Sequence, residues 1–117
     1  AKTGKDNLKN LIETDEGYFR LGEVALVPYD SPISNKNIVF YTTLFDENAS
    51  CHLAIGAAYS SCVKDGANIA DEDKDGLGIN VSMTHVDFMI GDKDLDIVGI
   101  QQDGQEFQIF KDGNWAF

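Results

Sequence analysis

Basic residues, cysteine and proline are all scarce in this chain, and two of these scarcities close off classes of function. Nine lysines and arginines face twenty aspartates and glutamates, which leaves a formal charge of −11 at neutral pH. Phosphate backbones and anionic membrane surfaces are repelled by such a chain. Neither nucleic acid nor a membrane is therefore expected as a partner. No stretch approaches the roughly 18 to 20 consecutive apolar residues of a membrane span. The opening Ala1-Lys2-Thr3-Gly4-Lys5 lacks the apolar run of a secretory leader, so a cytoplasmic protein is expected. Two cysteines, Cys51 and Cys62, are too few for a disulfide framework. Both are expected as thiols in or near the core.

What the chain does contain suffices for one core: 43% of its 117 residues are hydrophobic, which predicts a single domain over residues 1–117. Aspartate supplies fourteen of the twenty carboxylates, and it prefers turns and caps where glutamate prefers helix interiors. Strands and loops should therefore dominate. The one clear helical pattern comes first, in GKDNLKNLIETDEG, with Leu8, Leu11 and Ile12 at i, i+3 and i+4 and Gly17 as its end. GEVALVPYD is apolar on both faces, as in a strand inside a sheet, with Glu23 at its entrance. After a loop at Asp30-Ser31-Pro32, the run from Ile38 to Phe45 is compatible with helix or strand. His52 to Ala58 reads as a strand whose small residues allow close backbone packing.

Ser60 to Asn80 concentrates turn formers and acid and reads as an exposed insertion. THVDFMIG, DLDIVGI and QEFQIF have the β-branched and aromatic character of strands, the last two joined tightly at Asp103-Gly104. Asp112-Gly113 then turns the chain into NWAF, whose Trp115 and Phe117 should be buried or paired with another surface. The expected fold class is α+β: a mixed, largely antiparallel sheet with a helix at the N-terminus.

Two histidines limit where imidazole chemistry can occur. In His85-Val86-Asp87 the two polar side chains are two residues apart on a strand and project from one face. Such a pair can hold a divalent metal such as zinc, cobalt or manganese; it can equally be a histidine oriented by a neighbouring carboxylate. Glu23, set in an apolar strand, needs a cation or hydrogen-bond donors if it is desolvated, or is a solvated strand end. His52 and Tyr59 flank the small-residue segment, where a histidine can also be a satisfied core residue. Cys51 beside His52 points to the opposite strand face and cannot share its proton.

A rival site lies in the acidic insertion, where Asp71, Asp73, Asp75 and Gly76 reproduce the first half of a calcium loop. The position that should supply a bidentate glutamate is Ser82, so a solvated acidic loop is the better reading. A calcium-binding or purely structural module using Asp71 to Asp75 is the alternative function.

GEVALVPYDSPIS, LFDENASCHLAIG, HVDFMIG and DGNWAF, in this order, resemble the C-terminal portion of the aminopeptidase T and aminopeptidase S family of two-metal aminopeptidases. The resemblance covers essentially the whole chain. It implies that Glu23, His52, Tyr59, His85 and Asp87 line a site for two divalent metal ions, with Tyr59 also acting catalytically near the developing oxyanion. It further implies peptide substrates, a homodimer, and an upstream region of the same polypeptide that supplies a bridging glutamate absent here. The isolated chain should then have little or no peptidase activity.

Overall fold

The computed structural model describes residues 3–117; Ala1 and Lys2, at the head of the segment read for a leader, lie outside the described residues. The fold is α+β, as the sequence predicts. By contacts the chain divides into two compact units, residues 1–24 with 53–87, and residues 25–52 with 88–117. Among the described residues no helix is long and apolar enough to cross a membrane.

In the first unit, helix α1 (Lys5–Ile12) ends well short of Gly17, with Glu13 as its cap. The chain then makes a 3-10 turn over Glu16–Phe19, because the Asp15 carboxylate accepts from Tyr18 N at its start. Strands β1 (Leu21–Ala25), β2 (His52–Gly56) and β3 (His85–Met89) pair side by side in the order β1-β2-β3. The bonds Gly56 N to Arg20 O and Ala57 N to Thr84 O join the end of β2 to the starts of β1 and β3, which makes both pairings antiparallel. β1 is thus an edge strand and not the buried one expected, and Leu21 and Val24 are exposed on it. Gly56, at φ 102°, lies so close to β3 that a Cβ there would sit 2.2 Å from the Thr84 carbonyl oxygen.

The stretch read as an exposed insertion is more ordered than its composition suggests. It contains 3-10 turns and a short helix α3 (Asp71–Lys74), and it delivers Ile79 and Asn80 to the buried interior. The Asn80 amide donates to Gly17 O at 2.6 Å and Gly56 O at 2.5 Å, and Asn80 O accepts from Ala58 N. One side chain therefore ties the Gly17 turn to the end of β2. Asn80→Ala leaves two carbonyls without that donor and should cost about 1–3 kcal/mol, read as a lower urea midpoint; an unchanged midpoint would remove Asn80 from this role.

Asp15 ties the same turn to the approach to β3, accepting from Met83 N and Ser82 Oγ, each at 3.0 Å. The Met83 N–H, followed by Ser82 and the N–H groups of Gly17 and Tyr18, holds the Asp15 carboxyl below its ordinary value of 3.8 despite partial desolvation. A carboxyl depressed in the folded state contributes stability above its unfolded value and loses it as pH falls through the folded one. Acid unfolding of Asp15→Asn should accordingly be shallower than that of the parent at pH below 3.8. Parallel urea midpoint-against-pH curves for the two proteins would count against it.

The second unit is built on β4 (Ile97–Ile100), β5 (Glu106–Lys111) and β6 (Asn114–Trp115), an antiparallel sheet in that order. Asp112 and Gly113 both have positive φ, 48° and 73°, as the tight hairpin turn of Asp-Gly requires. That turn sets Phe110 opposite Trp115. Phe110 is fully buried with its ring centroid 4.5 Å from that of Trp115, whereas Trp115 and Phe117 remain largely exposed and pair with each other and with Phe110 and Phe107. Ile38 to Phe45 is neither strand nor full helix: Tyr41 takes a left-handed φ of 56°, and α2 covers only Thr43–Asp46. The Asp46 carboxylate accepts from Phe40 N and Thr42 N, folding the segment back on itself. The thiol of Cys51 is buried as expected and both accepts from Val27 N and donates to Val27 O, at 3.3 Å each. Cys62 is exposed.

Candidate metal centre

Glu23 is the third residue of β1, His85 the first of β3 and Asp87 the third of β3. The two-residue spacing on β3 puts imidazole and carboxylate on one face, His85 Nε2 lying 3.2 Å from Asp87 Oδ1. Sheet pairing brings Glu23 in from β1, its Oε2 3.4 Å from the same nitrogen. One ligand atom from each of the three side chains lies within 4.8 Å of the others, and all three residues are partly buried.

The other ring nitrogen decides what this cluster can bind. His85 Nδ1 is 2.6 Å from the carbonyl oxygen of Ala57. A carbonyl can only accept, so Nδ1 carries the proton and donates it. In the neutral ring Nε2 is then a bare lone pair, and it faces two carboxylates that are themselves acceptors. Three acceptors converging on one point repel one another unless a proton on Nε2 or a bound cation stands among them. A backbone carbonyl that fixes the tautomer and orientation of a metal-ligating histidine is a recurrent outer-shell arrangement, and mixed nitrogen and oxygen donors suit zinc, cobalt or manganese. The donor set therefore fits a divalent cation.

The Tyr59 ring lies over that of His85, centroids 4.8 Å apart at 44°, and is half exposed. His52 opens β2 but belongs by contacts to the second unit; it is buried, with Nδ1 3.0 Å from Ser50 O. Sequence reasoning placed Glu23 at the entrance of a buried strand, whereas it lies in the middle of an edge strand. It also missed the Ala57 carbonyl, a backbone group for which no side chain could have been a signal.

The acidic stretch read as a solvated or calcium-binding loop is instead partly helical. Asp71 opens α3 and is paired with Lys74 at 2.6 Å, which holds its carboxyl below the ordinary range, and Asp75 pairs with Arg20 at 3.0 Å. Two of the three aspartates that would wrap an ion are thus engaged with cationic side chains.

Residues 1–115 match the family described as thermophilic metalloprotease (M29). The chain belongs to this family. Over its whole length this M29 chain is 61% identical to aminopeptidase AmpS of Bacillus subtilis and 55% identical to aminopeptidase 2 of Geobacillus stearothermophilus, in each case matching 28% of the relative. Among solved structures, wild-type AmpT from Thermus thermophilus superposes with a TM-score of 0.86 at 44% identity, over all of this chain and 28% of that one. The M29 chain thus spans little more than a quarter of the length of these relatives. Membership of a metalloprotease family implies a metal cofactor.

Proposed function

We propose that this chain is the C-terminal metal-binding portion of an aminopeptidase that releases N-terminal residues from peptides. In this reading Glu23, His52, Tyr59, His85 and Asp87 surround two divalent ions of zinc, cobalt or manganese. The observation that carries it is the convergence of Glu23, His85 and Asp87, with His85 Nδ1 committed to the Ala57 carbonyl. His52 joins the set on its motif, DENASCHLAIG, alone. The names of the relatives, aminopeptidases throughout, support the reaction class.

A bound divalent ion supplies Lewis acidity and brings the pKa of a water from 15.7 toward about 7. Glu23 and Asp87 supply the anionic oxygens, and the Ala57 carbonyl keeps the His85 ring turned so that Nε2 faces them. The Tyr59 ring packs on the imidazole, and its phenol is assigned to the substrate carbonyl oxygen, donating a hydrogen bond as that oxygen gains charge. The bridging glutamate is supplied by the upstream part of the polypeptide, and the enzyme works as a cytoplasmic homodimer.

The test is hydrolysis of aminoacyl amides by the longer protein before and after chelation. Release of the N-terminal residue, lost on chelation and restored by zinc or cobalt, is expected, with little or no turnover by the 117-residue chain alone. Turnover indifferent to chelation, or cleavage only inside blocked peptides, would defeat the proposal.

A further inference from the structure

Beside the metal cluster, within the first unit, lies a cavity of about 250 Å³. Glu23 and Tyr59 belong to both: each lines the cavity, Glu23 is part of the cluster, and the Tyr59 ring lies on His85. The rest of the wall is mainly apolar. Val24 comes from the edge strand β1, Cys62 and Val63 from the first turn of the acidic stretch, and Leu77 and Ile79 from its end. The stretch that composition marked as an exposed insertion thus builds much of the wall.

We infer that this cavity receives the side chain of the substrate's N-terminal residue and makes the enzyme prefer apolar residues there. This rests on the aminopeptidase reading above and adds the substrate class. Three observations lead to it. The cavity is smaller than the roughly 300–1,000 Å³ of sites for drug-sized ligands, and so suits one side chain. Apart from Glu23, the side chains named on its wall carry no formal charge, so an anionic or strongly polar side chain would be desolvated there with little compensation. Sharing Glu23 and Tyr59 with the cluster puts the cavity next to the scissile carbonyl, within reach of the first residue of an aminopeptidase substrate.

The size of the preference follows from burial. One methylene more or less in a hydrophobic pocket changes specificity by about 10–200-fold. Leucyl amides should therefore exceed alanyl amides in kcat/KM by at least about 10-fold, with glycyl and aspartyl amides lower still.

The experiment uses the metal-loaded, full-length enzyme and two wall variants of opposite sense. Val63→Phe fills the cavity and should lower the leucyl-to-alanyl ratio of kcat/KM by about 10-fold or more. Val63→Ala enlarges it and should raise the phenylalanyl-to-leucyl ratio. Because Val63 is partly exposed, neither variant burdens a packed core. A readout independent of turnover is alkylation of Cys62, the exposed cysteine of the two, by iodoacetamide: leucinamide should protect it and glycinamide should not. Ratios unmoved by both variants, with Cys62 equally reactive in either amide, would overturn the cavity's assignment while leaving the aminopeptidase reading intact. Absence of hydrolysis of every unblocked substrate would overturn that reading, and this inference with it.

Discussion

Replacing His85 with alanine should abolish divalent-metal binding at the Glu23–Asp87 cluster and, with it, the peptidase activity of the full-length protein. The imidazole is the nitrogen donor of the three and the group that both carboxylates face, at 3.4 and 3.2 Å. Without it the cluster loses the nitrogen that both carboxylates face, and an incoming ion finds an incomplete ligand set. Outer-shell partners of metal ligands alone typically cost about 10–100-fold in affinity or activity, so removal of a ligand should exceed that range. Zinc or cobalt calorimetry on wild type and variant, with metal content after dialysis, reads the first effect; aminoacyl amide turnover reads the second. Wild-type affinity in the variant would remove His85 from the site. Calcium binding that persists in the variant would instead return attention to the acidic stretch.

The largest expected loss of stability lies in the second unit, at Phe110→Ala. Phe110 has no exposed surface, and its ring meets Trp115 across the β5–β6 hairpin. Truncating a buried phenylalanine typically costs about 3–5 kcal/mol, and an aromatic pair adds about 0.5–1.5 kcal/mol beyond its buried area. Few other side chains can compensate, because only Tyr18, Cys51, Ala54, Ile79 and Phe110 form the buried apolar set among the described residues. Trp115, the chain's one tryptophan, reports the transition directly by its fluorescence during urea unfolding. A loss below about 1 kcal/mol, smaller than any typical phenylalanine truncation, would mean that the hairpin is held by something other than this ring.

The parts of the fold legible in sequence are those whose signal is local. HVDFM and EFQIFK are strands because alternation and β-branching suit the pleat, and Asp112-Gly113 turns because both residues tolerate positive φ. The failures have equally specific causes. GEVALVPYD reads as one long strand, but β1 stops at Ala25, and the backbone of Val27 is bonded to the Cys51 thiol. No local rule announces a side chain from 24 residues away doing this. Ile38 to Phe45 stayed ambiguous because Asp46 captures two of its amides and Tyr41 reverses the chain. The expectation of one ordinary core also overstated burial, since many of its apolar residues, Ile38, Val39, Tyr41 and Leu44 among them, face outward.

For the candidate site, the His85-Asp87 spacing was readable from the period of a strand. The arrival of Glu23 was not readable from periodicity, because it depends on strand order; only the resemblance of the GEVALVP motif pointed to it.

That strand order also governs how quickly the site can come into being. The β5–β6 hairpin closes across two residues, and hairpins form in about 1–10 μs. The sheet β1-β2-β3 has no such short cut: β1 and β2 are separated by residues 26–51, and β2 and β3 by residues 57–84. Each pairing must overcome loop-closure entropy before any hydrogen bond offsets it. Glu23 and His85 therefore meet only once both intervening stretches have closed, so the hairpin is expected to form early and the metal-binding geometry late.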